Sequence, residues 1–328
     1  MTKKFLVWLL LTFFVANVSV TQAQQATKVP RIGFLVATNP ASASARIEAF
    51  REGLRQLGYV EGKNVTIEFR FAEGKVDRVP ILAAELVSLK VDVIVTGGAT
   101  DTRAAKEATK TIPIVMLQDN DPVASGFVAS LARPGGNITG LSTLSPELSG
   151  KQLELLKESV PKLSRVAVLG TSTNAGNADK LREIELAAGA LKLKHQILDV
   201  LDPKDVETAF RAATKGRAQA VLVLGSPVIT VHRTEIVELA VKTRLPAIYS
   251  RSDFVEAGGG LMSYSTSFTD LARRAAVYVD KILKGRTPAD LPVEQPMKFE
   301  FIVNLPAAKK IGLTIPPNVL VRADRVIR

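Results

Sequence analysis

Residues 32–58 read IGFLVATNPASASARIEAFREGLRQLG and contain the unit from which the fold is built. The run Ile32–Val36 is short and almost continuously apolar, which is typical of a parallel strand buried on both faces. Beyond it lies an apolar stripe at helical spacing, formed by Ile47, Phe50, Leu54 and Leu57. Gly58 follows at the position of a helix C-cap. The stretch therefore predicts a buried strand, a connecting loop and an amphipathic helix.

The same alternation continues through two halves of the chain. Val91–Val95 and Ile112–Leu117 predict further buried strands in the first half. The pattern restarts near residue 145, where Ser145-Pro146 has the residues of a helix start. In the second half the predicted strands are Val166–Leu169, Val221–Leu224 and Ala247–Tyr249. We therefore predict an α/β protein made of two doubly wound parallel-sheet lobes.

The end of the chain predicts a return to both lobes. A late helix runs to Gly285, and Lys298–Val303 alternates like an edge strand, so one helix and one strand are left over after the second half. The expected division follows, with the late helix assigned to the first lobe and the tail to the second: lobe 1 is 28–141 with 266–290, and lobe 2 is 142–265 with 291–328.

The first residues predict a cleavable export signal over 1–23. Lys3 and Lys4 precede an apolar stretch, Phe5–Val20, and Thr21-Gln22-Ala23 gives the small-x-small pattern of a cleavage site. The apolar part is short for a bilayer span. Since the chain contains no cysteine, it cannot carry a lipid-modified N-terminal Cys, and we expect a periplasmic protein that is not lipid-anchored.

Charge and composition argue against nucleic acid as a partner. The formal net charge is +11, but acidic and basic residues alternate along the helix faces, as in residues 46–55, which is typical of a solvated surface. Aromatic residues make up only 5% of the chain, too few for a base-stacking platform.

Catalytic and metal-binding patterns are weak. The two histidines, His195 and His232, stand beside no nucleophile motif, and His195 falls in a probable strand. The sequence has neither a metal-ligand cluster nor a nucleophile elbow. We therefore expect no catalytic residue, no metal and no cofactor.

The loops after the predicted strands are rich in hydrogen-bonding groups. In an open α/β sheet, ligands bind beyond the carboxyl ends of the strands, where glycines and helix N-termini present free backbone N–H groups. Each such residue can also be an ordinary cap or turn. The candidate ligand-binding residues are Thr38, Ser42, Gly97, Gly98, Thr100, Asp119, Asp121, Ser172, Asn174, Ser226, Tyr249 and Tyr264.

Several longer segments resemble the ABC-transporter substrate-binding protein family that includes tryptophan and other amino-acid uptake components. The resemblance is carried by 50–64, 121–126, 130–137 and 254–258, and is extended by 288–296 and 312–317. It implies the type I periplasmic-binding fold, in which three crossovers join two lobes and the ligand lies in the cleft between them. The predicted crossovers lie near Thr139–Thr143 and Ser263–Ser265.

The expected function is capture without chemistry. A monomer would close on a small polar ligand, such as an amino acid or related carboxylate, and deliver it to a membrane permease driven by a separate ATPase. We expect Thr38, Ser42, Gly98, Thr100 and Ser172 to bind the carboxylate. Asp119 or Asp121 would face the ammonium, and Tyr249 or Tyr264 would cover the side chain. A sensor module for a membrane receptor and an exported enzyme remain alternatives.

Overall fold

The computed structural model describes residues 29–143, 145–174, 177–296 and 298–328. The predicted export signal, 1–23, lies outside the described residues. Within them, no helix is both long enough and apolar enough to cross a membrane.

The first lobe is built on a five-stranded parallel sheet. Its order is β2-β1-β3-β4-β5. Its strands are β1 (Arg31–Val36), β2 (Thr66–Phe71), β3 (Val93–Thr96), β4 (Ile114–Met116) and β5 (Ile138–Gly140). Its helices are α1 (Pro40–Gln56), α2 (Val79–Ser88, preceded by a 3-10 turn over Val76–Arg78) and α3 (Ala99–Ala108).

Helix α1 begins where local chemistry dictates. The Asn39 side-chain oxygen accepts a hydrogen bond from the Ser42 N–H at 2.8 Å, and Pro40 occupies the first turn. The apolar stripe predicted from the sequence, including Ile47, Phe50 and Leu54, is buried against the sheet. Strand β1 and α1 together place the following loops at the carboxyl edge of the sheet.

The second lobe is built on a seven-stranded sheet of order β12-β11-β10-β9-β8-β6-β7. Only the β10–β11 pair is antiparallel among the strand pairs described. The strands are β6 (Arg165–Gly170), β7 (Lys194–Asp199), β8 (Ala220–Val223), β9 (Ala247–Tyr249), β10 (Met262–Thr266), β11 (Phe299–Asn304) and β12 (Arg325–Ile327). The helices are α4 (Ser145–Ser159), α5 (Asn177–Ala190), α6 (Asp205–Lys215), α7 (Pro227–Val231), α8 (Arg233–Lys242), α9 (Asp253–Glu256), α11 (Leu305–Lys310) and α12 (Pro317–Val321).

The prediction of an edge strand at Lys298–Val303 was wrong. The strand exists as β11, but β12 pairs with it in parallel and takes the edge. The alternation misled because Phe299 and Glu300 are only half-buried, whereas the following residues are buried. His195 lies in a strand, as expected; the strand is β7, at the opposite edge of the sheet.

The chain passes between the sheets at three places. The first follows β5, and the second joins β10 to α10 (Phe268–Leu283), which packs on α1 in the core of the first lobe. The third follows a 3-10 turn over Pro288–Asp290 and leads to β11. The first and third passages touch each other, because Ser142 N–H donates to the Glu294 carbonyl at 2.9 Å. The doubly wound, two-lobed architecture predicted from the sequence is confirmed.

Candidate ligand-binding cleft

A cavity of about 100 Å³ lies between the carboxyl ends of the strands of both sheets. It shares Thr100, Asn174 and Pro227 with a neighbouring space of about 680 Å³. The first lobe lines it with Val36, Ala37, Thr38, Arg46, Gly97, Gly98, Ala99, Thr100, Asp101, Gln118, Asp119, Asn120 and Phe268. Thr143, from the first passage between the sheets, also lines it. The second lobe contributes Asn174, Lys180, Gly225, Ser226, Pro227, Thr230, Ser250 and Arg251.

Seven of the twelve predicted residues meet in this cavity. They are Thr38, Gly97, Gly98, Thr100, Asp119, Asn174 and Ser226. Each comes shortly after a strand, which is why the sequence rule for open sheets brings them together. One pair already bridges the lobes: the Thr100 hydroxyl donates to Asn174 Oδ1 at 3.4 Å.

Three further predicted residues lie outside the lining, and each forms hydrogen bonds elsewhere in the protein. The Ser42 hydroxyl accepts from Arg233 Nη1 of the opposite lobe at 2.5 Å. Asp121 stabilises a turn, where its Oδ1 accepts from the N–H groups of the two residues at 123 and 124. The exposed Ser172 donates to Asp199 Oδ2 at 2.6 Å.

The two predicted tyrosines also lie outside the lining, within the second lobe. Tyr249 is 1% exposed and stacks on Phe254, with ring centroids 4.9 Å apart. Tyr264 packs against Phe299 and Phe301 of β11. Both rings therefore pack against residues of the second lobe and do not face the space between the lobes.

The sequence reasoning missed the buried charges of the cavity. Arg46 lies on α1 one turn before Phe50, and Lys180 lies on α5 one turn before Ile184, so both continue an apolar stripe. Asp101 likewise precedes the buried Ala105 by one turn on α3. A charged residue that extends a buried stripe toward the carboxyl edge of a sheet is the signal that could have revealed them.

Arg46 and Asp101 form one charged corner in the first lobe. Arg46 Nη1 donates to the Gly97 carbonyl at 3.1 Å, and burial lowers the pKa of its guanidinium to about 10. Burial raises the pKa of Asp101 to about 8, against the opposing effects of Arg46 and of the N–H groups of Ala37 and Gly97. Arg46 and Asp101 are both buried, and each favours the ionised form of the other.

A second pair of charges faces across the cleft. Burial raises the pKa of Asp119 to about 7, and the charge of Lys180 on the opposite lobe is among the effects that lower it. Burial lowers the pKa of Lys180 to about 8, with Asp119 as the counteracting charge. Asp119 Oδ1 accepts from the Asp121 N–H at 3.1 Å, which orients the carboxylate.

Arg251 completes the charged lining. It makes two hydrogen bonds to Asp253, at 3.0 and 2.8 Å, and its guanidinium lies 4.6 Å from the centroid of the Phe268 ring on the first lobe. Among the described residues, the lining contains three cations (Arg46, Lys180, Arg251) and two carboxylates (Asp101, Asp119), and Asp253 forms an ion pair with Arg251. The cavity therefore presents groups of both signs to a ligand.

Five buried polar atoms of the lining have no hydrogen-bond partner among the described residues. All belong to the first lobe: Thr38 Oγ1, Arg46 Nε, Asp101 Oδ1, Gln118 Oε1 and Asp119 Oδ2. Buried polar atoms are rarely left unsatisfied in native proteins. Their concentration around one cavity marks it as a polar binding site. The described residues include no group of three or more potential metal ligands of the His, Cys, Asp or Glu type.

The chain belongs to the ABC transporter substrate binding protein family, whose model matches residues 31–327. A curated relative is the tyrosine-binding protein of Clostridioides difficile (strain R20291), 27% identical over 289 residues, which covers 87% of this chain and 82% of that protein. The resemblance noted in the sequence is thereby confirmed.

Two solved structures show how the lobes are arranged. The structure of an ABC domain from Streptococcus pneumoniae in complex with L-Trp is 26% identical, with a TM-score of 0.84 over 91% of this chain and 99% of that one. The ligand-free, open structure of a Clostridium difficile substrate-binding protein with adhesive properties is 25% identical, with a TM-score of 0.65 over 92% and 99%. At nearly equal identity, the chain is more similar to the ligand complex than to the open form.

Proposed function

We propose that this chain is the extracytoplasmic substrate-binding component of an ABC import system, and that it captures a small zwitterion, an amino acid or close derivative, between its lobes. Export rests on the signal predicted over 1–23. Delivery to a permease with a separate ATPase follows from the family. The tyrosine and tryptophan named for the two relatives support an amino acid as the class of ligand.

The observation that carries the proposal is that Asp119 and Lys180, a carboxylate and a cation from opposite lobes, are both buried in the lining of one cavity. Asp119 offers an unpartnered Oδ2 from the first lobe to an α-ammonium. Lys180 offers its cation from the second lobe to an α-carboxylate. A zwitterion thus contacts both lobes at once, and it stabilises the closed form through contacts that the open form lacks.

The carboxylate has further donors at the strand ends. Gly98 is the N-cap of α3, so backbone N–H groups in the first turn of that helix lie beside the cavity on the first lobe. The Thr100 hydroxyl, which donates to Asn174 Oδ1 at 3.4 Å, lies beside this helix start at a contact between the lobes. No group in this arrangement needs to exchange a proton with the ligand or form a covalent bond to it, and we infer capture without catalysis.

Asp119→Asn tests the ammonium assignment. We expect the tightest-binding standard L-amino acid to lose about tenfold or more in affinity, because the neutral amide no longer balances the ligand's cation. The deaminated analogue of that amino acid should lose much less. Isothermal titration calorimetry on both ligands measures the difference.

Asp199→Asn is the matched control, since Asp199 is an exposed carboxylate of the second lobe that accepts a hydrogen bond from Ser172. This variant should bind both the amino acid and its deaminated analogue with wild-type affinity. Equal losses for the amino acid and its deaminated analogue in Asp119→Asn would remove the ammonium from this position.

A further inference from the structure

The corner formed by Arg46 and Asp101 lies in the same cavity, beside the position proposed for the ammonium. The Gly97 carbonyl accepts hydrogen bonds from Arg46 Nη1 at 3.1 Å and from Gln118 Nε2 at 2.9 Å. The N–H of Gly97 donates to the Leu35 carbonyl at 3.0 Å, and a Cβ at Gly97 would lie 3.0 Å from Asp101 Oδ2. The side chains of Arg46, Asp101 and Gln118 therefore approach one glycine closely.

The hydrogen bond to Gly97 fixes the orientation of the Gln118 amide. Because Nε2 is the donor to that carbonyl, Oε1 faces away from it, and Oε1 is a buried acceptor without a partner in the described chain. Asp101 Oδ1 is a second unpartnered acceptor. Arg46 Nε is an unpartnered donor, and the Thr38 hydroxyl can donate as well.

The two ionisable groups of this corner, Arg46 and Asp101, lie close enough to influence each other's pKa. Asp101 faces Arg46, whereas the charges acting on Asp119 come from Lys180, Asp121 and Arg103. The two carboxylates thus lie in separate electrostatic surroundings. Burial disfavours the charged forms of both Arg46 and Asp101, so a neutral but strongly polar group fits the Gly97 corner better than a second ammonium or carboxylate.

The same lining residues are poorly suited to bind the aromatic side chain of a ligand. Phe268 is the one aromatic residue among the described lining residues, and the guanidinium of Arg251 covers its ring at 4.6 Å from the centroid. Placing a ring over buried donors and acceptors would leave them unsatisfied, which costs affinity for each lost hydrogen bond.

We propose that this protein selects an amino acid whose side chain ends in a carboxamide, with that amide bound in the corner formed by Thr38, Arg46, Asp101 and Gln118. The two amide N–H groups match the two free acceptors, Asp101 Oδ1 and Gln118 Oε1. The amide oxygen matches the two donors, Arg46 Nε and the Thr38 hydroxyl. The inference rests on the proposed function, because the amino-acid part of the ligand is assigned to Asp119 and Lys180.

Calorimetric titration of the wild-type protein with matched amino acids tests this selectivity. L-asparagine is compared with L-leucine, which has nearly its shape, and with L-aspartate. L-glutamine is compared with L-methionine and L-glutamate, and L-tyrosine and L-tryptophan complete the panel. We expect L-asparagine or L-glutamine to bind about tenfold or more tightly than its apolar and acidic counterparts and than both aromatic amino acids.

Two variants locate the selectivity. Thr38→Val removes one hydroxyl at nearly constant shape, and Gln118→Met removes the amide at similar length; both should bring the ratio of amide to apolar affinity toward one. Thr214→Val and Gln56→Met are the matched controls, because Thr214 bonds within α6 and Gln56 bonds Glu52 on the exposed side of α1. The controls should keep the wild-type ratio.

The outcomes separate the two proposals. If L-leucine, L-methionine or an aromatic amino acid binds as tightly as the amides, the carboxamide assignment is overturned while the substrate-binding function stands. An unchanged ratio in both corner variants overturns it as well. Failure of every amino acid in the panel to bind overturns the proposed function together with this inference.

Discussion

At the scale of single residues, the cleft is defined by charges that the fold holds in low-dielectric surroundings. Asp119 and Asp101 are each 2% exposed, and Lys180 is 5% exposed. Burial disfavours the ionised form of each group, and the opposite charge nearby only partly compensates. These residues therefore cost stability in the unliganded protein, as is common for groups that are arranged to bind.

The pH dependence of stability should reveal this cost. Burial raises the pKa of Asp119 to about 7 and that of Asp101 to about 8, from ordinary values near 3.8. Between about pH 4 and 7 the folded protein thus binds more protons than the unfolded chain, and its stability falls as the pH rises. The pKa of Lys180 is lowered to about 8, so this residue changes the pH dependence of stability mainly above pH 7.

Thermal unfolding of the unliganded protein between pH 4.5 and 7 gives the measurement. We expect the loss of Tm with rising pH to be smaller in Asp119→Asn than in the wild type, since the variant cannot ionise at this position. Parallel curves for the two proteins would show that Asp119 ionises as it does in the unfolded chain.

The candidate residues differ in how far the sequence could predict them. Thr38, Gly97 and Asp119 were predictable because the carboxyl ends of parallel strands share one edge. The position of Tyr249 was not predictable, because β9 is buried on both faces: Ile248 packs in one core cluster and Tyr249 in another. The alternation of side chains along a strand does not indicate which of two buried faces lies nearer the ligand. Arg46 and Lys180 were overlooked because charged residues were taken as solvated faces.

At the scale of elements, the ends of strands and helices control the passages and contacts between the lobes. Strand β5 ends at Gly140, immediately before the first passage, with φ +131°. A Cβ at this position would overlap the carbonyl oxygen of Met116 on the neighbouring strand β4. Only glycine allows the two strands to pair here and the chain to leave the sheet.

Gly140→Ala should therefore destabilise the protein by about 3 kcal/mol through backbone strain and the clash with Met116. Gly58→Ala is the matched control: Gly58 has φ +88° but nothing within 4 Å of a Cβ, so it should lose only about 1 kcal/mol from the backbone conformation. Urea unfolding measures both. Equal losses would mean that the Met116 contact relaxes without cost.

Helix α8 provides a direct contact between the lobes. Arg233 Nη1 donates to the Ser42 hydroxyl of α1, and the Ser42 hydroxyl lies 3.5 Å from the Thr230 carbonyl. Nearby, a Cβ at Gly74 of the first lobe would lie 3.3 Å from Val231 Cγ2 of the second. The residue predicted to bind ligand, Ser42, thus connects the two lobes in this conformation.

Arg233→Gln should weaken the closed form and lower the ligand affinity by about fivefold, mainly through faster dissociation. Arg211→Gln, at an exposed position of α6, is the control and should leave the ligand affinity and the dissociation rate unchanged. Stopped-flow dissociation together with small-angle scattering measures the effect. Wild-type rates in Arg233→Gln would show that the contact does not contribute to closure.

At the scale of the whole molecule, the sequence predicted the two-lobed fold well because both sheets are built from buried parallel strands that alternate with amphipathic helices. It predicted less well at the sheet edges. Strand β12 was missed because it is only three residues long and half-exposed, and β11 was therefore assigned to an edge. The arrangement of the lobes depends on contacts between distant segments, such as Ser42 with Arg233, which no local pattern contains.

The central claim is that a zwitterion is held between Asp119 and Lys180 in the closed cleft. A crystal structure with the tightest-binding amino acid of the calorimetric panel tests it most directly. We predict the ligand's ammonium within about 3.2 Å of Asp119 Oδ2 and its carboxylate on the side of Lys180, bridging the lobes. A ligand bound outside this cavity, or one whose ammonium points away from Asp119, would contradict the account.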